Sequence, residues 1–229
     1  MITLKHVSKR FAARLLFRDV TASFASGAVH LVLGRNGSGK STLLRLIGGL
    51  SRVTSGEIAF ARDDARIGYL GHATFLYPNL TAYENLAFWQ KAYGQSAQEQ
   101  AILKMLAHVG LAPFAHSRVG VFSRGMAQRL SLARVLLLRP DIYLLDEPET
   151  GLDKTSRALL QDEILKARAG NACILWVSHL AEEQGLADTI CTVQQKTLVC
   201  RQARPQAEAE ADVKTGDETE NAQEGNGQC

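Results

Sequence analysis

One stretch organises this chain: Gly34-Arg35-Asn36-Gly37-Ser38-Gly39-Lys40-Ser41. It is a complete G-x-x-x-x-G-K-[ST] phosphate-binding loop. The apolar run 28–33 before it predicts a buried β-strand, and the run 41–47 after it predicts the start of a helix. The motif requires this context, because its glycines let backbone N–H groups approach phosphate oxygens and the helix N-terminus adds a positive dipole. We therefore expect the chain to bind a nucleoside triphosphate.

The motif also predicts individual roles within the nucleotide site. Lys40 is expected to reach the β- and γ-phosphates, and the hydroxyl of Ser41 is expected to bind Mg²⁺. The other loop residues and Thr42 are expected to contact the nucleotide. A chance glycine-rich turn would match the same letters, but a strand and a helix in register with the loop favour phosphate binding.

The composition is that of one globular α/β domain with room for an inserted subdomain. The chain has 229 residues, of which 46% are hydrophobic, and no apolar run approaches the ~18 residues that a membrane-spanning helix needs. Residues 1–7 predict a first strand and lack the pattern of a signal peptide. The four cysteines show no C-x-x-C spacing, so we expect free thiols rather than a metal site or a disulfide.

Charge and apolar content both change near residue 201. Residues 201–229 contain three Lys or Arg and seven Asp or Glu, a net charge of −4, which leaves +7 of the chain's total of +3 on residues 1–200. Because this segment has almost no large apolar residue, it is expected to be a disordered acidic tail behind a domain at 1–200. A mildly basic body suits phosphates and an anionic membrane surface, but ordinary solvation gives the same pattern.

Two strands, 2–7 and 15–24, are predicted to form an antiparallel layer joined by a basic loop at 8–14. Phe11 in this loop offers an aromatic face on which an adenine ring could stack. A loop aromatic folded onto the core has the same sequence signature, so both interpretations stay open. Further strands are predicted at 55–60, 66–70, 142–145, 172–177, 189–193 and 197–200.

Residues 73 to about 130 have helical periodicity and predict an inserted α-helical subdomain. A capping box at Thr81 and Glu84 opens a helix over 84–93, and Ser123 is placed to cap a helix that ends before Pro140. A further helix is predicted over 154–168. The predicted apolar face of the helix between the first two consists of Ile102, Leu103, Leu106 and Val109.

A second set of residues completes the predicted site. The apolar strand 142–145 ends in Asp146 and Glu147, where Asp146 could hold Mg²⁺ through its water shell and Glu147 could polarise the attacking water. His179, at the end of the next strand, could hold the γ-phosphate and Glu147 in register. A strand running into a polar turn is common, but the position after the phosphate loop and the following segment 148–153 favour a catalytic role.

These motifs together resemble the ATP-binding subunit of the ABC transporter family over residues 1 to about 200. Six motifs occur in the family's order: Phe11, the phosphate loop, the segment 122–129, the strand ending at 146–147, the turn 151–153 and the pair 178–179. The resemblance implies a P-loop NTPase (RecA-like) core with an antiparallel β subdomain and an inserted helical subdomain. It also implies a head-to-tail dimer, formed by two copies of this chain or by this chain and a paired ATPase subunit. In such a dimer ATP lies between the phosphate loop of one subunit and Ser123 and Gly125 of the other, with Asp153 in the same site.

The chain departs from the family pattern at two places. The family's usual Leu-Ser-Gly-Gly-Gln is replaced in part, since Phe122, Arg124 and Met126 occupy its first, third and fifth positions. Ser123 and Gly125 are retained, so hydrolysis is expected to survive. His72 stands where the family usually has glutamine, and an imidazole is a poorer Mg²⁺ ligand than an amide oxygen. It either contacts the attacking water or relays movement to the helical subdomain.

Within the family, the segments 69–72 and 79–89 resemble the ATP-binding subunit of the haem exporter of cytochrome c biogenesis. Segment 122–126 instead resembles exporters of drugs, polysaccharides or other lipophilic cargo. The resemblance implies separate integral membrane subunits, a peripheral position on the cytoplasmic face of the cell (inner) membrane, and no nucleic-acid partner. We expect residues 73–89, with Phe75, Leu76, Tyr77 and Leu80, to dock on those subunits, although the same residues could be subdomain core.

Two other classes of protein remain open. A soluble ABC ATPase acting on ribosomes or DNA usually carries two ATPase domains or long coiled coils, and neither is visible here. A nucleotide-binding module without turnover would not need Glu147. These observations favour a chain that acts as an Mg-ATP-driven switch in a transport complex.

Overall fold

The computed structural model describes residues 1–71, 73–178 and 182–203, without the side chains of residues 182 and 183. Two of the predicted catalytic residues, His72 and His179, lie outside the described residues, so their roles stay predictions. Residues 204–229, most of the predicted tail, lie outside them as well.

The described strands form a six-stranded sheet and a separate three-stranded sheet. The larger sheet has the order β5-β6-β7-β3-β8-β9, in which β9 is antiparallel to β8 and the other pairings are parallel. The smaller sheet, β2-β1-β4, is antiparallel. The strands are β1 (Ile2–Phe11), β2 (Arg14–Phe24), β3 (Ala28–Leu33), β4 (Ser55–Phe60), β5 (Ile67–Leu70), β6 (Ile142–Asp146), β7 (Cys173–Val177), β8 (Thr189–Gln194) and β9 (Thr197–Gln202).

Five α-helices and three short 3-10 helices occur in the described part of the chain. The α-helices are α1 (Lys40–Ile47), α2 (Ala82–Ala92), α3 (Glu99–His108), α4 (Arg124–Leu138) and α5 (Lys154–Ala169). The 3-10 helices span Ala112–Phe114, Val119–Val121 and Glu182–Leu186. Among the described residues, no helix combines the length and the hydropathy needed to cross a membrane.

The central strands are buried on both faces, as their nearly continuous apolar sequences predict. On β7, Cys173 and Leu175 face a core shared with α1 and the antiparallel layer, whereas Ile174 and Trp176 face a second core beneath α4 and α5. Because β3, β5, β6 and β7 are parallel, their carboxyl ends lie at one edge of the sheet. The phosphate loop and the strand-end carboxylates therefore meet there.

The helical insertion has a core of its own. Leu86 of α2, Ile102 and Leu106 of α3 and Leu130 of α4 pack in one buried cluster. Thr81 and Glu84 form the predicted capping box, with Glu84 N donating to Thr81 Oγ1 at 3.1 Å and Thr81 N donating to Glu84 Oε2 at 2.8 Å. These bonds lower the pKa of Glu84, chiefly because its carboxylate accepts the backbone N–H of Thr81.

Three local predictions were wrong. The basic loop at 8–14 does not exist, because β1 continues to Phe11 and only Ala12 and Ala13 connect it to β2. The apolar face of α3 omits Leu103, which is 37% exposed. Strand β9 continues to Gln202, past the predicted start of the tail.

The cysteine prediction was also wrong. Cys191 and Cys200 form a disulfide between β8 and β9, whereas Cys173 is a buried free thiol. The turn at Gln195 and Lys196 has positive φ at both positions, as in a two-residue hairpin, and this register places the two cysteines opposite each other. Burial raises the pKa of the Cys173 thiol to about 12.

Gly56 fixes how β4 joins the antiparallel layer. Its φ is +84°, and a Cβ there would lie 2.3 Å from the carbonyl oxygen of His6. We expect Gly56→Ala to lower the free energy of unfolding by more than about 2 kcal/mol, since backbone strain and a backbone clash add. Gly49 is the matched control, because its φ is +70° but no atom lies within 4 Å of the point that a Cβ would occupy.

Urea unfolding of the two variants measures the difference. Gly49→Ala should cost only the conformational strain, about 1 kcal/mol. Equal unfolding midpoints for the two variants would show that the close approach of His6 does not constrain β4.

Candidate nucleotide site

The loop between β3 and α1 has the backbone that a phosphate cradle needs. Gly34, Gly37 and Gly39 have φ values of +149°, +75° and +114°. A Cβ at Gly34 would lie 2.8 Å from Ser38 Oγ, and one at Gly39 would lie 2.9 Å from the ring of Phe17, whereas Gly37 faces open space. Glycine is therefore required for the conformation and for the packing below the loop, and the open side at Gly37 leaves room for a ligand.

Lys40 lies at the start of α1 and is 6% exposed. Its Nζ donates to the carbonyl oxygen of Gly34 at 2.8 Å and to that of Arg35 at 3.4 Å. Ser38 Oγ, in the same loop, is buried without a hydrogen-bond partner among the described residues. A charged ammonium and an unused hydroxyl at the N-terminus of a helix fit a phosphate group.

Ser41 and Asp146 meet although they are far apart in sequence. Ser41 Oγ donates to Asp146 Oδ1 at 2.9 Å, and Asp146 is 1% exposed. Tyr69, at the end of β5, donates its hydroxyl to Asp146 Oδ2 at 3.4 Å. Burial raises the pKa of Tyr69, so its phenol stays a hydrogen-bond donor at neutral pH.

Hard oxygen donors of this kind fit Mg²⁺, which takes one or two protein ligands and completes its shell with water and substrate phosphates. The described residues contain no group of three or more His, Cys, Asp or Glu side chains placed to hold a metal ion.

Glu147 follows Asp146 in a strained backbone conformation. Its φ is +52°, which costs a non-glycine residue of order 1–3 kcal/mol. Two backbone hydrogen bonds hold it, one from Glu147 N to the carbonyl of Val177 at 2.9 Å and one from Thr150 N to the carbonyl of Glu147 at 3.1 Å. This residue directly follows β6 at the carboxyl edge of the sheet, where it lines a cavity.

A cavity of about 630 Å³ joins these residues, a size that suits a nucleotide. It brings Phe11 of β1, the phosphate loop and Glu147 of the β6 turn around one space. Phe11 is 50% exposed, and the ammonium of Lys9 lies 4.6 Å from its ring centroid. The lining residues are Phe11, Arg14, Leu16, Asn36, Gly37, Gly39, Lys40, Ser41, Thr42 and Glu147.

Six of the predicted nucleotide contacts do not line this cavity: Gly34, Arg35 and Ser38 of the phosphate loop, and Ser123, Gly125 and Asp153. Ser123 Oγ accepts from Met126 N at 3.2 Å and caps α4, and Asp153 Oδ1 accepts from Ser156 N at 2.8 Å and caps α5. The latter bond lowers the pKa of Asp153. A Cβ at Gly125 would lie 3.2 Å from the carbonyl oxygen of Gly151, so these residues form a second surface of the chain.

Glu149 is a buried carboxylate whose role the sequence motifs do not predict. It is 8% exposed and accepts from Ser178 Oγ at 2.6 Å and from Trp176 Nε1 at 3.2 Å. Gln128 of α4 donates its amide to the carbonyl of Pro148 at 3.2 Å. These bonds attach the turn that carries Glu147 to the end of β7 and to α4. The sequence contains one signal for this role, since Glu149 is an acidic residue that follows Pro148 shortly after a buried strand.

Replacement of Glu149 tests this support. Glu149→Gln leaves one carbonyl oxygen for two donors and places an NH₂ group against one of them, so we expect a loss of about 1–3 kcal/mol in the free energy of unfolding and a lower turnover of ATP. Glu57→Gln is the control, since Glu57 is in an exposed pair with Lys5 at 3.6 Å and should change stability by less than about 0.5 kcal/mol.

Thermal unfolding and steady-state ATPase measurements on the same preparations provide both readouts. If Glu149→Gln unfolds at the wild-type temperature with unchanged turnover, Glu149 does not support the turn.

Comparison with known proteins places these features in a family. A family profile described as ABC transporter matches residues 17–150. Over 220 residues the chain is 36% identical to the ABC transporter ATP-binding protein NatA of Bacillus subtilis, covering 89% of each chain. It is 30% identical over 211 residues to the linearmycin resistance ATP-binding protein LnrL of Bacillus subtilis, covering 87% of this chain and 68% of that protein.

A third relative is named for cytochrome c biogenesis. The chain is 32% identical over 188 residues to the cytochrome c biogenesis ATP-binding export protein CcmA of Vibrio cholerae, covering 78% of this chain and 91% of that protein.

Solved structures give the same result for the fold. A structure described as the ATP binding subunit of an ABC transporter superposes with a TM-score of 0.82 at 25% identity, covering 93% of this chain and 99% of that one. The dimeric structure of MJ0796, a bacterial ABC transporter cassette, gives a TM-score of 0.81 at 25% identity, covering 89% and 99%. The predicted fold class is confirmed, and this chain belongs to the ABC transporter family of ATP-binding proteins.

Proposed function

We propose that this chain hydrolyses ATP to drive export through membrane subunits that are separate chains. The observation that carries the proposal is the approach of Ser41 and Asp146 to 2.9 Å beside the cavity that Lys40 and Glu147 line. This arrangement brings a phosphate-binding cation, a pair of metal-binding oxygens and a carboxylate around one space. Phosphoryl transfer needs these groups, because its catalysis depends on positioning and on charge stabilisation.

In the proposed reaction, the adenine ring of ATP stacks on Phe11. The phosphates bind to the loop 34–39 and to the ammonium of Lys40. Ser41 and Asp146 would hold Mg²⁺, which neutralises charge on the β- and γ-phosphates. Glu147 orients a water molecule and accepts its proton as the water oxygen attacks the γ-phosphorus, and the bond to the β-phosphate oxygen breaks to release ADP. The hydrogen bonds of Glu149 keep the turn in place during this step.

A second copy of the chain completes the site in this proposal. Ser123 caps the N-terminus of α4, a helix of 15 residues, and Gly125 lies in its first turn. Such a terminus favours an anion, and neither residue lines the nucleotide cavity of its own chain. A head-to-tail dimer would place Ser123, Gly125 and Asp153 of one copy over the phosphates bound by the other. The dimeric cassette among the structural neighbours supports the formation of a dimer.

The residues of the predicted docking surface differ in their exposure. Phe75 and Tyr77 are 41% and 43% exposed, whereas Leu76 packs against the core of the helical insertion. The ring of Tyr77 contacts those of Phe88 and Trp89 on α2, and Trp89 contacts the ring of Tyr93 just after α2. Phe75 joins them because its carbonyl accepts from Trp89 Nε1 at 3.0 Å. We refer to these five residues as the aromatic cluster, in which Trp89 is partly buried and the other four rings are exposed. We propose this aromatic cluster as the surface that binds a membrane subunit, since a contiguous exposed apolar patch indicates an interaction site.

Arg134 connects the aromatic cluster to the nucleotide site. Its guanidinium lies 5.0 Å from the ring centroid of Trp89 and 5.7 Å from that of Phe75, and it donates to the carbonyl of Tyr69 at 2.8 Å. Arg134 is 2% exposed, and burial lowers its pKa to about 10, which still leaves it charged at neutral pH. Because Tyr69 also contacts Asp146, movement of the aromatic cluster would be transmitted to the metal-binding carboxylate.

Haem is the cargo that we propose, for export in cytochrome c biogenesis. The segment 69–72 and the similarity to CcmA of Vibrio cholerae support this choice. The competing cargo is that of another exporter, favoured by segment 122–126 and by the higher identity to NatA over more of the chain. The peripheral position on the cytoplasmic face of the membrane follows from the proposed membrane partners.

Glu147→Gln tests the chemical step. We expect turnover to fall by at least about 100-fold, since the general base is lost, while ATP binding persists and a nucleotide-dependent dimer accumulates in size-exclusion chromatography. Asp162→Asn, on the exposed side of α5, is a control that should hydrolyse ATP at the wild-type rate. Unchanged turnover in Glu147→Gln would remove Glu147 from its proposed role.

Phe88→Ala combined with Tyr93→Ala tests the docking surface. We expect ATPase activity in solution to be retained and co-sedimentation with membranes to be lost, because both rings are exposed and lie on the aromatic cluster. Leu165→Ala on α5 is the control, since Leu165 is similarly exposed at 38%. A simultaneous loss of folding and ATPase activity would identify the rings as core.

The cargo is tested by capturing the partners. Tagged Glu147→Gln protein, held with Mg-ATP, is isolated from detergent-solubilised membranes and its partners are identified by mass spectrometry. Membrane subunits of cytochrome c maturation would support haem export. A different permease would overturn the cargo, and the absence of any membrane partner would overturn the transport proposal.

A further inference from the structure

A second cavity, of about 620 Å³, adjoins the nucleotide cavity. It lies between the β1–β2 hairpin, the phosphate loop and the β8–β9 turn, and it shares Arg14, Leu16 and Gly37 with the nucleotide cavity. Its lining residues are Arg10, Ala13, Arg14, Leu15, Leu16, Arg18, Gly37, Ser38, Val193, Gln194, Gln195 and Lys196. We refer to it as the basic cavity.

Four of the lining residues, Arg10, Arg14, Arg18 and Lys196, are cationic, and none is acidic. Within residues 1–71, 73–178 and 182–203, none of the four forms an ion pair with a carboxylate. Arg14 instead donates from Nη2 to the carbonyl of Gly37 at 3.4 Å. A concave surface with charge of one sign concentrates ligands of the opposite sign. The charge of the basic cavity therefore favours a polyanionic ligand.

The chain itself contains a polyanion of suitable reach. Residues 204–229 include seven Asp or Glu and two Lys or Arg, a net charge of −5, and the acidic positions run from Glu208 to Glu224. The described chain ends at Ala203, whose N–H donates to the carbonyl of Asp188 at 2.9 Å, at the opposite end of β9 from Lys196. The six residues of β9 span about 20 Å, whereas 26 residues can span up to about 86 Å. Glu208 is five residues beyond Ala203 and can lie at most about 18 Å from it, whereas Asp212 is nine residues beyond and can lie about 30 Å away. The acidic positions from Asp212 onward can therefore reach the basic cavity.

We propose that the acidic segment 208–224 binds in the basic cavity of its own chain and competes with ATP for the phosphate loop. Tethering gives the segment a local concentration of the order of millimolar, so weak individual ion pairs are sufficient. Carboxylates beside Gly37 and Arg14 repel the phosphates of an incoming nucleotide. The apparent Kd for ATP is then the intrinsic Kd divided by the fraction of chains whose cavity is not blocked. This inference rests on the nucleotide site proposed above.

The location of the segment can be tested without ATP. Gly216→Cys with Cys229→Ser places one thiol among the acidic residues, and it is labelled selectively with a benzophenone maleimide because Cys173 is buried and Cys191 and Cys200 are bonded to each other. After photolysis, we expect cross-linked peptides from residues 10–18 or 193–196. The control carries the same label with the seven acidic residues replaced by amides, and its cross-links to these peptides should fall by about fivefold or more.

If the cross-links are spread over the whole surface, or if they are unchanged in the amide control, the proposed location of the segment is wrong. This conclusion holds whether or not the chain binds a nucleotide. This readout separates the inference from the nucleotide site, because it uses no nucleotide.

Competition is then measured as the affinity for Mg-ATP by equilibrium titration. We expect the amide tail to lower the Kd for ATP by about fivefold at low ionic strength, and the difference to vanish at high salt as the charges are screened. Arg18→Gln with Lys196→Gln should give the same relief in the wild-type tail and no further change in the amide tail. Lys91→Gln with Lys104→Gln removes the same charge from exposed positions on α2 and α3 and should leave the Kd unchanged.

Two results would contradict competition. In the first, Arg18→Gln with Lys196→Gln shifts the Kd for ATP equally in the wild-type tail and in the amide tail, which would show that these cations act on ATP and not on the tail. In the second, single-stranded DNA or vesicles containing phosphatidylserine bind the wild type through Arg18 and Lys196, and the tail forms its cross-links elsewhere. The ligand of the basic cavity would then be an external polyanion. Confirmed cross-links with no effect on the Kd would overturn the competition while leaving the binding of the segment in place.

Discussion

The hydrogen bond between Ser41 and Asp146 spans the end of β7, because β7 lies between β3 and β6 in the sheet. It can form only if the three strands are parallel and end at the same level. Buried aliphatic residues on both faces of these strands secure that level, one set against α1 and the antiparallel layer and the other against α4 and α5. Packing far from the ligand therefore determines whether the phosphate loop meets the carboxylates, and the site is a consequence of strand order.

Strain at the site is balanced by its surroundings. Glu147 adopts a left-handed backbone that an isolated turn would avoid. Its neighbours over-determine that conformation through the carbonyl of Val177 and through the buried carboxylate of Glu149. Gln128 extends the same network into α4, the helix whose N-terminus carries Ser123 and Gly125. The turn with the proposed catalytic carboxylate and the surface proposed to meet a second copy are thus parts of one hydrogen-bonded unit.

Much of the fold could be predicted from local patterns, because the glycine loop, the caps at Thr81 and Ser123 and the two-sided apolar strands each depend on near neighbours. The meeting of Ser41 with Asp146 could be predicted from motif order alone. The missed features depend on partners distant in sequence or on register. The disulfide follows from a hairpin turn at Gln195 and Lys196 that carries no glycine, and the network of Glu149 requires knowledge of where Trp176 and Ser178 lie. Arg134 is hidden in the same way, since its aromatic partners belong to another helix and to a loop.

The most direct measurement is an experimental structure of Glu147→Gln protein with Mg-ATP bound. We expect two copies in head-to-tail contact, with the adenine on Phe11, the phosphates within 34–39, the metal between Ser41 and Asp146, and Ser123 of the other copy on the γ-phosphate. A nucleotide bound elsewhere, or a closed site built from one copy alone, would contradict this expectation.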